Sequence, residues 1–440
     1  MMNKKVISAA IVAVFVLSAL VTIIPADVSE ADDSPTYWET EEPAKHEGYY
    51  LIRTPQNLAW VQNGVENGSF TYMVDQFRLV ADLDMSGKNL NPIGNEAVNK
   101  PFQYEFDGNG HKISGLKIEQ TVKNTGLFGY ATIGTNIHDL VVESPTITSD
   151  KNNSGGIVGN LYAGTVERCA VIGGTISGDQ AVGGIVGQND TGTVSECYNT
   201  STVKGGSNYT GGIIGHNYST TPVRNCFNAG AVSGAALVAG IVGLNHNAGE
   251  ISYCYNSGTI SGTNPNSGPI SGIVGNNFST GKISFVYNIG TINGSRQTDI
   301  AGNNSGGGEI SNAYWLANAE SAAGARTVAQ MTGITAFEKM GGFERSDWML
   351  KANEGDVSYA PQLVKFATAP ASEATIAISV ESVTITPSSE GGSGEGGSGE
   401  GGSGSDNPDD GGDDTLLYVG IAAVAVVAVI GLLWFFVFKP

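Results

Sequence analysis

From Asn152 to Leu316 the chain alternates short apolar islands with runs of Gly, Asn, Ser and Thr. The stretch GGIVGQNDTGTVSECYN at 183–199 shows the unit: Ile185-Val186, then Val194 with Cys197, then Val203 just beyond. GGIVGNLYAGTVERCAV begins at Gly155, GGIIGHNYSTTPVRNCFN at Gly211, AGIVGLNHNAGEISYCYN at Ala239 and SGIVGNNFSTGKISFVYN at Ser271; TDIAGNNSGGGEISNAYW at Thr298 is a fading last copy. Their central isoleucines, Ile157, Ile185, Ile213, Ile241, Ile273 and Ile300, lie 28, 28, 28, 32 and 27 residues apart. The islands are too short for helices and rich in β-branched residues, and the spacers carry turn chemistry. A unit of three strands and three turns at constant period predicts a solenoid. The architecture that fits is a parallel β-helix of three-sided coils, one per ~28-residue unit, stacked about 4.8 Å apart.

Stacking explains the composition. In such a coil each position lies above its counterpart, and like charges placed so would repel. Only twelve of the 165 residues between Asn152 and Leu316 are charged. Glycine, 62 of 440 residues, supplies tight corners and positive φ. Asparagines form two columns, Asn189, Asn217, Asn245, Asn277, Asn304 and Asn199, Asn228, Asn256, Asn288, placed to ladder amide to amide. Cys169, Cys197, Cys226 and Cys254 share a column that later holds Val286 and Ala313, which points to a small apolar interior position. Buried free thiols are favoured there, with disulfides the rival in an exported chain; in-register side chains present sulfurs poorly for bridging. The Val194–Cys197 spacing breaks strict alternation and predicts a bend inside that strand.

The flanks read as caps. Thr54 and Pro55 open a short helix as N-cap and first helical residue. FRLVADLDMSG, NPIGN, FQYEFDGNGHKISGLKI and NTGLFGYA form irregular first coils. Thr327 with Gln330 and Thr335 with Glu338 are capping-box pairs for two short helices, and 373–386 alternates like a strand. The boundaries are 1–26 signal peptide, 27–47 acidic segment, 48–151 N-terminal cap and first coils, and 152–316 repeat β-helix. There follow 317–366 as C-terminal cap, 367–386 as a short β segment, 387–414 as a Gly/Ser/acidic stalk and 415–438 as a transmembrane helix.

Charge and hydropathy sharpen the two ends. The net charge is −20, of which residues 27–47 contribute −7 (eight acids, one lysine) and residues 387–414 contribute −8 (eight acids, no base). The charge thus belongs mainly to solvated segments, and no basic stripe supports nucleic-acid binding. MMNKK followed by VISAAIVAVFVLSALVTII reads as a secretory signal, cleaved after Ala26 or Ala31, with an uncleaved signal-anchor as the alternative. Leu416–Phe438 is 23 residues without a charge, about 35 Å as a helix. Asp413 and Asp414 precede it and Lys439 follows, which places the bulk of the chain outside a membrane crossed once.

Candidate chemistry is sparse. The repeat's acids, Glu167, Asp179, Asp190, Glu196, Glu250 and Asp299, fall mostly at scattered columns; Glu250 and Glu309 share a position, but Lys282 holds it in the coil between, and His46, His111, His138, His216 and His246 show no ligand spacing. DNPDDGGDD lacks the closing glutamate of a calcium loop. No catalytic, cofactor-binding or metal-binding residue is assigned. Molecular contact falls instead to an aromatic column, Tyr198, Phe227, Tyr255, Tyr287 and Tyr314. Facing solvent it would stack on sugar rings or meet a protein; facing a corner it would be a packing ladder. Nine N-x-S/T sequons occur, at Asn67, Asn152, Asn189, Asn199, Asn208, Asn217, Asn277, Asn293 and Asn303. Those in the asparagine columns would have to leave the ladder to carry a glycan, so Asn67, Asn152, Asn208 and Asn293 are the chief glycosylation candidates.

The GGIVG-x-N…V-x-x-C-Y-N-x-G-x-V-x-G pattern resembles the GLUG motif of bacterial and archaeal cell-surface proteins. DLDMSGKNLNPIG…FQYEFDGNGHKISGLKI…TGLFG is similar to the usual lead-in, and NAYWL…MTG…YAPQL to the usual cap, so the resemblance spans about 49–366. It implies a right-handed β-helix and a surface role often called adhesin-like, particularly in methanogenic archaea. Asp107 and His111 in DGNGH belong to the lead-in, where the resemblance implies turn residues. Some streptococcal zinc peptidases carry the motif, but their HExxH helix has no counterpart here. The expectation is an all-β, non-enzymatic protein of the cell membrane whose ectodomain binds surface glycans or proteins. A non-binding envelope spacer is the alternative, and a carbohydrate-active β-helix enzyme comes third.

Overall fold

The computed structural model describes residues 37–366, apart from 73, 265–267, 318–321, 335 and 351–356, together with 377–379. The signal peptide, the stalk and the apolar C-terminal segment lie outside the described residues. Among the described residues no helix is long and apolar enough to cross a membrane.

The repeats wind into an all-β right-handed solenoid of about nine turns with few helices. Tyr49–Ile52 pairs in parallel with Gln76–Leu79, which pairs with Glu105–Asp107, which pairs with Asn136–His138. The same stack continues through Thr165–Glu167, Thr193–Ser195, Val223–Asn228, Ile251–Asn256 and Ile283–Asn288 to Ile310–Leu316. Three further parallel sheets, of seven, six and six strands, complete the walls. The coil therefore has more walls than the three islands suggested. The extra one arises at the GIVG phrase itself, where Val182–Gly183 ends one strand and Val186–Asn189 begins another. Ile185 sits at this corner, fully buried, as do Ile157, Ile213, Ile241 and Ile273.

Register is in phase wherever a column was expected. Cys226 lies opposite Cys254, Cys254 opposite Val286, and Val286 opposite Ala313. All four cysteines are free and buried, so the interior thiol reading holds and the disulfide reading does not. Burial pushes the Cys169 and Cys226 thiols well above the ordinary range. Native protein at about pH 8 is therefore expected to leave all four thiols unreacted toward Ellman's reagent over hours, and to release all four in denaturant without reductant. A shortfall in denaturant would reveal a disulfide.

The bend before each cysteine is present and has a cause. Thr193–Ser195 and Tyr198–Asn199 are separated at Glu196, whose φ is 53°. Arg168, Asn225, Tyr253, Phe285 and Asn312 repeat this left-handed conformation in successive coils, with φ between 48° and 54°. One left-handed residue turns its own side chain outward and returns the next, the cysteine, to the interior. A second left-handed column, Asn124, Asn153, Ala181, Tyr209 and Leu237, turns the corner before the GIVG phrase. At these two corners residues other than glycine take the left-handed conformation, whereas Gly164, Gly173 and Gly174 take it at other turns, as expected of glycine. The repeat's paired glycines mark close approach between rungs: a Cβ on Gly184 would lie 2.1 Å from the Gly212 carbonyl oxygen.

Both asparagine columns are continuous amide ladders. Asn189 donates to Asn217, Asn217 to Asn245, Asn245 to Asn277 and Asn277 to Asn304, at 2.8, 2.8, 2.9 and 2.8 Å. Asn199, Asn228, Asn256 and Asn288 form the second ladder, each step 2.8 Å. Each amide also closes its own turn; Asn189 accepts from the Gly192 N–H and donates to the Gly192 carbonyl. A buried turn would otherwise leave these backbone groups unpaired.

Short helices flank the solenoid. Helix α1, Pro55–Asn67, starts at Thr54, whose side chain accepts from the Asn57 N–H, and stops at left-handed Gly68. Its Leu58, Val61 and Val65 are buried against the first coil, where Ile52 and Phe77 share the core. At the other end Gln330 accepts from the Thr327 N–H across helix α2, Val328–Met331. Thr335, ahead of helix α3, Ala336–Lys339, lies outside the described residues. From the 373–386 segment, Ala377–Ser379 pairs antiparallel with Val357–Tyr359.

Candidate functional site

The aromatic column forms as a ladder, but not on the solvent. Tyr198, Phe227, Tyr255 and Tyr287 stack with centroids 4.8, 4.8 and 4.9 Å apart and planes within 1°. Relative exposure runs from 0 to 7% along the column, Tyr314 included. The chain's own C-terminal cap covers it. Phe366 meets Tyr198 and Phe227 edge-on at 5.4 and 5.0 Å, and Trp348 lies 5.6 Å from Tyr287. The Tyr287 hydroxyl donates to the Pro361 carbonyl, and the Tyr314 hydroxyl to that of Gly341. Of the two readings of Tyr198, Phe227, Tyr255, Tyr287 and Tyr314, the packing ladder is the one that forms, and ligand contact through this column is corrected. The rings do point away from the coil interior; the cap buries them to remove their apolar area from water.

The four chief sequons, Asn67, Asn152, Asn208 and Asn293, are exposed, as is Asn303. Asn189, Asn199, Asn217 and Asn277 are fully buried in the ladders. A glycan on any of these would break its rung.

Two assemblies were not legible in the sequence. The first lies on the early coils, where Arg78, Asp107, His138 and Glu167 stand in register on successive rungs. Arg78 Nε donates to Asp107 at 2.7 Å, and its guanidinium lies 3.8 Å over the Tyr49 ring. His138 reaches Asp139 at 2.7 Å through Nδ1 and Glu105 at 3.3 Å through Nε2. Arg168 holds both oxygens of Asp139 at 2.8 and 3.1 Å, and Glu167 at 2.7 Å. Burial opposes ionisation of Asp139, yet the Arg168 and His138 hydrogen bonds hold its carboxyl below the usual range. Burial and the hydrogen bond to Glu105 push the Tyr49 phenol up to about 12.

Asp107, His138 and Asp139 thereby offer ligand atoms within 4.8 Å of one another. The expectation that no histidine has ligand spacing is corrected on this point, because spacings across irregular coils hide what register brings together. The donor set nonetheless fits arginine better than a metal: both Asp139 oxygens and one Asp107 oxygen already accept guanidinium N–H groups. Arg78 and Arg168 thus tie the carboxylates of successive early rungs together. Asp107 also keeps its turn role, accepting from the Asn109 N–H, and His111 pairs with Asp82.

The second assembly follows the first asparagine column by one residue: Tyr162, Asp190, Tyr218, His246 and Phe278. Each extends the rung pairing, with N–H bonds from Tyr218 to Asn189, His246 to Asn217 and Phe278 to Asn245. Tyr218 and His246 have centroids 4.7 Å apart, and His246 stacks on Phe278 at 5.0 Å and 14°. Tyr162 is 48% and Phe278 53% exposed. The signal in the sequence was a variable position, rich in rings, directly beside the interior column of Leu161, Asn189, Asn217, Asn245 and Asn277.

Where the repeat fades, Asp299 takes the place of the second glycine of the phrase. It borders a cavity of about 440 Å³ lined by Ile300, Tyr314 and Trp315. A side chain is tolerated because this is the last rung with that phrase. Burial pushes the Asp299 carboxyl up to about 6. A raised carboxyl pKa stabilises the fold fully below the unfolded value and loses that contribution as pH rises through about 6. Asp299→Asn is expected to raise the thermal midpoint at about pH 7.5 and to leave it unchanged at about pH 4. Equal shifts at both would refute the burial of this charge.

Against known proteins, the model of the GLUG motif matches residues 178–204 and 234–261. The chain carries GLUG motifs. Halomucin of Haloquadratum walsbyi is 33% identical over 120 residues, 24% of this chain and 1% of that protein. A "Putative Gly-rich membrane protein" of Evansella cellulosilytica is 34% identical over 130 residues, 28% of this chain and 14% of that one. The GLUG solenoid thus spans a small part of the length of either relative. Among solved structures, a "putative immunoglobulin A1 protease" from Bacteroides ovatus superposes with a TM-score of 0.43 at 18% identity. That superposition covers 70% of this chain and 92% of that one.

Proposed function

We propose that the protein is a membrane-anchored, extracellular GLUG solenoid with an adhesin-like role, binding surface glycans or proteins without turning them over. The observation that carries this reading is the division of labour within each rung. Interior ladders satisfy the turns, which leaves outward positions free to vary, and one such position has filled with exposed rings. The relative named as a Gly-rich membrane protein supports the location, as do the apolar segment at 415–438 and the acidic stalk before it. A carbohydrate-active enzyme would need a carboxylate free to exchange protons. The carboxylates gathered around His138 are instead engaged by Arg78, Arg168, Tyr49 and Gln76.

A spacer role is the second reading, favoured by the row Thr146, Thr175 and Thr202, which stacks small hydroxyl side chains along one wall. Full-length protein in detergent micelles, offered whole cells and a panel of immobilised glycans and surface proteins, separates the two. Binding to any of these is expected; binding to none would leave the spacer.

A further inference from the structure

The rings beside the first asparagine ladder form a strip along the solenoid axis, and its chemistry is specific. In the strands Val158–Leu161, Val186–Asn189 and Ile214–Asn217, Leu161, Asn189 and Asn217 point into the coil and are fully buried. Strand alternation then turns Asn160, Gln188 and His216 outward, and they stand in register. His216 is outward yet only 5% exposed, because it lies between the rings of Tyr209 at 4.6 Å and Tyr218 at 4.0 Å. Among the described residues, His216 Nε2 and Asn160 Oδ1 have no hydrogen-bond partner, although both side chains are more than nine-tenths buried. Gln188 donates to Asp190 at 2.8 Å, which fixes a carboxylate between the rungs of Tyr162 and Tyr218.

The strip therefore carries Tyr162, Tyr218 and Phe278 on every second rung, with a carboxylate, amides and imidazoles between them. Proteins, nucleic acids and sugars differ in what they ask of such a surface. A nucleic acid needs positive charge, whereas the charged side chain here is Asp190. An apolar protein knob needs a groove without orphaned polar atoms. A pyranose needs a flat ring for its C–H face and polar groups around the rim for its hydroxyls.

Resting on the surface-binding reading above, we infer that this strip is the binding site, and that it takes a neutral oligosaccharide laid along the solenoid axis. Tyr162, Tyr218 and Phe278, each two rungs from the next, stack on alternate sugar rings, and Asp190, Gln188 and His246 bind hydroxyls between them. Asn160 Oδ1 accepts from, and His216 Nε2 hydrogen-bonds with, hydroxyls that reach beneath the rings. Acidic sugars are disfavoured by Asp190. Successive rungs rise about 4.8 Å, close to the advance per residue of an extended glycan, so one chain can meet several rungs.

The test uses full-length protein in detergent micelles, with cellohexaose, mannohexaose and galactan oligosaccharides as neutral probes and oligogalacturonate as the acidic one. Calorimetry is expected to show binding of at least one neutral probe, and Tyr218→Ala is expected to weaken it about tenfold. Phe278→Ala, at a position more than half exposed, is expected to weaken binding without altering the fold, so it decides the matter if Tyr218→Ala is unstable. Tyr253→Ala, on another wall, is expected to change nothing. If the wild type binds a neutral probe and both strip variants bind it equally well, the site is wrong and the surface-binding reading stands. If it binds proteins or the acidic probe only, the inference fails on ligand class. If it binds neither cells nor any probe, both fail.

Discussion

Gly212→Val is expected to prevent folding of the solenoid, seen as loss of the cooperative denaturation transition and of soluble expression. Gly212 stands in the glycine column of the repeated phrase, with Gly184 before it and Gly240 after it. A Cβ there would lie 2.1 Å from the Gly240 carbonyl oxygen and 2.4 Å from Cγ of Asn228. Neither neighbour can retreat, since the first is ladder backbone and the second is a member of the buried amide stack. Overpacking of ordinary cores costs about 1–3 kcal/mol, and here backbone rather than side chain must move, so a loss above about 4 kcal/mol is expected. The control is Gly206→Ala on an exposed corner, where a Cβ would lie 3.2 Å from an Asp179 side-chain oxygen. It is expected to shift the denaturation midpoint little. Similar midpoints for the two variants would show that the rungs do not approach as closely as the structure has them.

Asn228→Ala is the second large effect, and it tests the ladder instead of the spacing. The Asn228 amide accepts from Asn199 at 2.8 Å and donates to Asn256 at 2.8 Å and to the Gly230 carbonyl at 2.9 Å. Truncation strips partners from buried groups on three sides, and each one left unmet costs about 1–3 kcal/mol. A net loss of roughly 3–5 kcal/mol is expected in guanidinium denaturation, after partial relaxation of the neighbouring amides. Asn304, at the end of the other ladder, accepts from Asn277 and donates to Gly308, and it is only partly buried. Asn304→Ala is therefore expected to cost less than half as much. Equal losses would mean that each asparagine acts alone within its turn and the column adds nothing.

These predictions rest on features read directly from the repeat, and their location shows what kind of information a repeat holds. Where a residue must suit a copy of itself one rung away, the sequence repeats it, so the columns of Asn, Cys and Gly could be drawn before any fold was known. The bend before Cys197 was visible for the same reason. The reach of the repeat ends where rungs meet something other than themselves. The column from Tyr198 to Tyr314 looks alike whether it faces water or a cap, and only Phe366 folding back across Tyr198 and Phe227, and Trp348 and Phe343 across Tyr287, decides it. His138 and Asp107 are 31 residues apart in coils of unequal length, so their meeting had no periodic signature.

The sequence alone determined the rung: its period, its interior residues, its uncharged columns and the amide ladders that close its turns. Self-stacking imposes these on every copy, and that constraint leaves a visible imprint. Tertiary structure alone decided which walls are free. Cover by the C-terminal cap, in-register meeting of charges on unequal coils, and exposure of the Tyr218 strip depend on contacts between segments that share no pattern. No local physical rule couples such segments until the chain has folded.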